Sequence, residues 1–202
     1  MSDISPLSSL INLTELHLWG NEVRDASPLS SLTKLTLLGI SENHISDILS
    51  FSSLTSLNEL YLGANEIVDI SSLASLTNLA KLTLSGNRVS DLGALSSLTN
   101  LEQLELSGNR VSDASPLSSL TNLAALDLSG NQINDISSLS SLTNLSYLNL
   151  RANQIRDILS LVANTGLSEG DTVSLKGNPL SATSVNTYIP QLEQRGVTVV
   201  LD

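Results

Sequence analysis

The sequence predicts an α/β solenoid: a horseshoe with a parallel sheet on its concave side, turns and 3₁₀ segments on its convex side, and a helical cap at the carboxyl end. Three observations carry this. Asn21, Asn43, Asn65, Asn87, Asn109, Asn131 and Asn153 recur at a step of 22 residues, and an aspartate column running from Asp3 through Asp25 and Asp47 to Asp157 keeps the same step. Within each unit an L-x-L alternation marks a short strand, because successive side chains of a strand point to opposite faces. After Ala163 the repetition stops and a segment of different composition closes the chain.

One 22-residue unit cannot bury its own leucines, so units must stack and share a continuous core. The chain reads as one domain. Residues 1–12 are a partial repeat, in which DISPLSSLIN is the second half of a unit whose strand is missing. Residues 13–166 are seven repeats, and residues 167–202 are a last irregular repeat with its cap. In each unit L-x-x-L-x-L-x-x-N-x-[IV]-x-D leads into S-x-L-x-x-L-T-N. The Asn turns the chain at the strand's end, where its amide can bond open backbone groups and form a polar ladder. The Asp is expected to accept backbone N–H bonds at the start of the convex turn. The Ser-rich half is too short and too broken for a full α-helix, hence the turns and 3₁₀ segments. In the closing segment Ser181 reads as an N-cap. Val185, Tyr188, Ile189 and Leu192 read as an apolar face, Gly196 as a stop, and VTVVLD as a final strand. Pro190 should split or kink the helix. Phe51 occupies a repeating leucine slot and is expected in the core, as is Tyr188.

Composition narrows the function. The chain has 202 residues, a formal charge of −11, 2% aromatic residues and no cysteine. So acidic a surface repels phosphate backbones and anionic headgroups, which argues against nucleic-acid partners and membrane insertion. Without cysteine there are no disulfides and no thiolate metal sites. No run approaches the ~18 apolar residues of a membrane span. The first residues, MSDISPLSS, offer neither the basic start nor the apolar stretch of a signal peptide.

These motifs and their period match the leucine-rich repeat. The chain resembles bacterial leucine-rich repeat proteins of the 22-residue class, to which the internalins and the phosphatase-regulator type belong. The resemblance covers nearly the whole chain, and the tail GDTVSLKGNPLS…YIP…RGVTV looks like the ending of many secreted or surface bacterial repeat proteins. It implies a secreted or cell-surface protein that binds other proteins with its concave sheet and whose repeats are not catalytic.

The outward slots of the strands are free of scaffold duty. One column runs Glu15, Leu37, Glu59, Lys81, Gln103, Ala125, Tyr147. The next runs His17, Gly39, Tyr61, Thr83, Glu105, Asp127, Asn149, and the third Trp19, Ser41, Gly63, Ser85, Ser107, Ser129, Arg151. Trp19, the only tryptophan, stands where most units carry Ser or Gly. With Leu37, Tyr61 and His17 it should form an apolar patch ringed by Glu15, Glu42 and Glu59, the usual composition of a binding hot spot. Alternatively it covers the N-terminal edge of the sheet. Glu105 and Asp127 are neighbours on adjacent strands, read either as a docking point for a basic side chain or as a solvated acidic face. The expected binding face therefore comprises Glu15, His17, Trp19, Leu37, Glu59, Tyr61, Glu105, Asp127, Tyr147 and Arg151.

Catalytic, cofactor and metal sites are not expected. His17 and His44 lie in different slots, no Ser, His and Asp converge, and the Asp column lacks the dense oxygen spacing of calcium loops. The expected partner is a protein of unknown identity, with weak self-association through the open N-terminal edge as a further possibility. The other expectation is a structural solenoid, engineered or trimmed, without a ligand of its own.

Overall fold

In the computed structural model, which describes residues 1–201, the leucine spacing dictates the local structure on both sides of the solenoid. On the convex side apolar residues recur every third position, as in Ala26, Leu29, Leu32 and Leu35. The 3₁₀-helix has three residues per turn, so this spacing lines one face of it. The chain adopts that geometry, with N–H groups of Leu29, Leu32 and Leu35 each donating to the carbonyl three residues earlier. Such turns span Ser5–Ser9, Ser27–Ser31, Leu49–Ser53, Ser71–Ser75, Gly93–Ser97, Ser115–Ser119 and Ser137–Ser141.

The L-x-L segments form the strands: β1 (Glu15–His17), β2 (Leu37–Gly39), β3 (Glu59–Tyr61), β4 (Lys81–Thr83), β5 (Gln103–Glu105), β6 (Ala125–Asp127) and β7 (Tyr147–Asn149). They are followed by β8 (Thr172–Ser174) and β9 (Thr198–Val200). All pair in parallel, in sequence order, in one sheet. The register is unshifted, with Leu38 beside Leu60 and Leu60 beside Leu82, so every outward column is continuous. Leucines at the centres of β2 to β7 are at most 1% exposed, and Phe51 is fully buried in the leucine slot.

The asparagines join one repeat to the next. Asn87 Oδ1 accepts the N–H of Ile67, while its Nδ2 donates to the carbonyls of Leu62 and Leu84. The Leu84 carbonyl also accepts from Asn109 Nδ2 at 2.9 Å. The amides do not bond one another. Each shares a backbone carbonyl with the next, and together they satisfy groups that burial would otherwise leave open. The aspartates behave as the sequence suggests: Asp25 Oδ1 accepts the N–H of Ser27 at 2.8 Å, and Asp47, Asp69 and Asp113 do the same in their turns.

At the carboxyl end α1 (Leu159–Ala163) replaces the 3₁₀ turn, and the Arg195 guanidinium donates to the carbonyls of Leu161, Val162 and Asn164. These are the carbonyls that a helix end leaves without partners. Ser181 Oγ accepts the N–H of Ser184, as a capping serine should. The helix is neither split nor ended at Pro190. A π-helical turn, Ser184–Tyr188, runs directly into α2 (Ile189–Gln194), which carries Pro190 near its start. A proline ring clashes with the carbonyl four residues back, and the wider π turn relieves that clash. Tyr188 is half-buried against the core rather than fully within it.

The N-terminal end is more open. Leu7, Leu13 and Leu16 are only partly buried, whereas Leu29, Leu35 and Leu38, their counterparts one repeat later, are fully buried. Leu10 and Ile11 are 45% and 54% exposed. Trp19 does not cover this edge. Its ring leans the other way, over β2.

Candidate functional site on the concave face

A polar outward residue on most strands needs no special backbone. Around Trp19 three departures from that rule coincide. The first is Trp19 itself, 53% exposed at the end of β1. The second is Gly39, which gives β2 no side chain in the middle column. The indole occupies the vacated space: a Cβ at Gly39 would fall 2.8 Å from Trp19 Cζ2 and closer still to Cε2 and Nε1. The third is Glu42, held at a φ of 58° in the left-handed region, where Gly20, Gly86 and Gly108 stand in their own repeats. That conformation costs an L-residue about 1–2 kcal/mol.

Because β2 contributes no side chain to the middle column, the Trp19 ring just beyond β1 and the Tyr61 ring of β3 meet across it. The Trp19 and Tyr61 centroids lie 6.2 Å apart with planes at 86°, and His17 packs on Trp19 at 5.0 Å and 71°. Both are edge-to-face arrangements, each worth about 0.5–1.5 kcal/mol beyond area burial. Tyr61 donates its hydroxyl to Glu59 Oε2 at 2.5 Å. That bond, then burial, then the charges of Glu59 and Glu105, push the phenol up to about 12. Glu59 also pairs with Lys81 at 3.8 Å. Leu37, half-buried, lies in the first column between Glu15 and Glu59.

The other candidate residues form a second area. Glu105 and Asp127 are register partners on β5 and β6, as expected. Asp127, however, is engaged: Oδ1 accepts the N–H of Ser129 and Oδ2 accepts Asn149 Nδ2 at 3.0 Å. The small side chain of Ala125 leaves a shallow hollow of about 280 Å³ bordered by Gln103, Glu105, Asp127 and Tyr147. Arg151 is exposed beyond β7. At about 4.8 Å per strand, Tyr147 stands roughly 29 Å from the first column of β1, so the ten residues do not form one cluster. Gly39 and Glu42 stand where the spacing places them, in the second column and on the rim, but the room Gly39 leaves for the indole and the left-handed backbone of Glu42 were not expected. The signal was present, since Gly39 is the one glycine in its column and Glu42 replaces a turn glycine.

Two hollows of about 370 and 400 Å³ open on the convex side, bordered by Asp69 and Asp91 and by Asp135 and Asp157. Those carboxylates already hold the backbone N–H groups that start the turns. Among the described residues no three His, Asp or Glu side chains are grouped to hold a metal ion. No helix there is long and apolar enough to cross a membrane.

A family profile described as Leucine Rich repeats (2 copies) matches residues 33–75, 77–119 and 121–164. The chain belongs to the leucine-rich repeat family. A comparison with curated proteins finds no match. Among solved structures, an internalin (inlF) from Listeria monocytogenes is similar over all of this chain and 58% of its own, with 36% identity and a TM-score of 0.92. A second internalin (inlC2) from the same organism matches over 96% of this chain and 84% of its own, at 29% identity and a TM-score of 0.86. A plant peptide hormone receptor, RGFR1 in complex with RGF2, matches over 89% of this chain and 30% of its own, at 26% identity and a TM-score of 0.77. This leucine-rich repeat protein thus spans little more than half the length of the first internalin. Its repeats are of the bacterial, internalin-like kind. The leucine-rich repeat fold is a typical protein-interaction module.

Proposed function

We propose that this leucine-rich repeat protein binds a protein partner on its concave face and catalyses no reaction. The observation that carries the reading is the ring cluster of exposed His17 and Trp19 with half-buried Tyr61, in which Trp19 stands where most repeats place Ser or Gly. Burial does not account for an indole that is 53% exposed. Aromatic groups inside a polar rim are the usual anchors of protein interfaces. Its internalin and hormone-receptor neighbours share the fold, and the receptor was solved in complex with RGF2. Against catalysis stand the roles of the two histidines, since His17 packs edge-on to Trp19 and His44 pairs with Glu66 across the flank.

The test is a selection of binding proteins from a displayed library, followed by affinity measurements on variants. Trp19→Ala and Tyr61→Ala should each weaken a selected partner by about 30-fold or more, since such anchors contribute ~2 kcal/mol or more each. Arg151→Ala with Lys176→Ala should change affinity little, as rim charges do. Partners indifferent to the loss of both aromatics would refute the reading.

A further inference from the structure

The rings of Trp19 and Tyr61 meet at a right angle of 86°, so a group placed in the corner touches two aromatic faces at once. The surroundings are acidic. Glu15 and Glu59 lie in the adjacent column and Glu42 stands at the strand's exit, its Oε2 near the Gly20 turn. Glu105 lies two strands along the Tyr61 column. Lys81, paired with Glu59, is the one fixed cation in the first two columns of β1 to β6. Aromatic faces carry negative quadrupoles and attract ammonium or guanidinium groups within about 6 Å. Carboxylates close by add to that attraction and repel anions.

We infer that the Trp19–Tyr61 corner seats a lysine or arginine side chain of the partner protein, whose docking segment is therefore basic. This rests on the reading of the concave face as the binding surface, and it adds the chemistry of the partner. The acidic band continues through Glu105 and Asp127, so a basic segment laid across the strands meets like chemistry along its length. An acidic or neutral segment would desolvate these carboxylates without return.

The test uses Trp19, the only tryptophan, as its own reporter. Short glycine peptides carrying a central Lys, Arg, Nε-acetyl-lysine, Leu or Glu are titrated against the whole chain. Binding is read by indole fluorescence and by the shift of the indole Nε1–H resonance. The Lys and Arg peptides should bind, and more weakly when salt rises from about 0.05 to 0.5 M. Acetyl-lysine should bind at least about 3-fold less tightly, and Tyr61→Leu should weaken the Lys peptide by about 3- to 30-fold. Tyr61→Phe keeps the ring face and should keep most of the affinity, whereas Glu42→Gln, at an exposed position, should lower it. If the Leu and acetyl-lysine peptides perturb the indole as strongly as Lys does, the cation is wrong while the concave binding surface stands. If Lys peptides shift only resonances outside the concave sheet, or none, the corner is no cation seat, whereas the concave-face reading falls only if selected partners also ignore the loss of both aromatics.

Discussion

The indole of Trp19 lies directly over the α-carbon of Gly39, in space that any larger residue would fill. This one relationship fixes where the ring points and brings it within 6.2 Å of Tyr61, 42 positions along the chain. Gly39→Ala should therefore leave the solenoid folded while pushing the indole out toward water. The expected loss is about 0.5–1.5 kcal/mol, the worth of the aromatic pair. Chemical denaturation measures the loss, and a red shift of the tryptophan emission reports the displaced ring. An unchanged emission spectrum would mean the indole does not depend on Gly39.

Replacing Asn87 or Asn109 by Ala strips a buried ladder position and leaves one N–H and part of two carbonyls unpaired. The cost should be about 2–4 kcal/mol, because buried polar groups without partners pay their full desolvation. Ser85→Ala and Ser107→Ala, on the concave surface, should stay within about 0.5 kcal/mol. Equal denaturation midpoints for the two classes would contradict the assignment of faces.

Ala64 and Ala152 adopt φ values of 53° and 54° in the turn column that glycine fills in other repeats. Glycine has no Cβ to clash there, so Ala64→Gly and Ala152→Gly should each stabilise by about 0.5–1 kcal/mol. Gly86→Ala and Gly108→Ala should destabilise by a similar amount. Paired urea titrations of the four variants would decide it, and the same sign for both exchanges would be the wrong result.

The phenol of Tyr61, pushed up to about 12 chiefly by its bond to Glu59, favours its neutral form in the folded chain. Its contribution to stability is present below the ordinary tyrosine value near 10 and is lost as pH rises through about 12. The ultraviolet difference between wild type and Tyr61→Phe isolates this titration. Glu59→Gln should bring it down toward the ordinary value.

Asp3 and Asp25 are held below the usual carboxylate range first by the side chains and then by the N–H groups of Ser5 and Ser27. For Asp69 and Asp113 the N–H groups of Ser71 and Ser115 come first. A depressed aspartate contributes stability above its unfolded pKa and loses it as pH falls through the folded value. Acid should therefore weaken the fold below about pH 4. Asn keeps an acceptor oxygen for the N–H but does not titrate, so Asp69→Asn with Asp113→Asn should flatten the acid limb of stability against pH. An identical acid limb in the double variant would remove these turns from the account.

The solenoid, its buried and open faces and the role of its asparagines and aspartates are all legible in the order of the residues. All of these follow from short-range periods. Alternation by two sets Leu104 inward and Glu105 outward, and a spacing of three through Leu95, Leu98 and Leu101 fits the 3₁₀ turn. A step of 22 stacks each slot on its copy, which places Glu105 beside Asp127 by spacing alone. How the outward side chains divide the space between strands emerges only once the strands stand side by side. The same column position holds Gly39 under an indole, Tyr61 bonded to Glu59, and Asp127 bonded to Asn149. The direction of an exposed side chain is set by the volume and polarity of neighbours one and two strands away, and no local period encodes that.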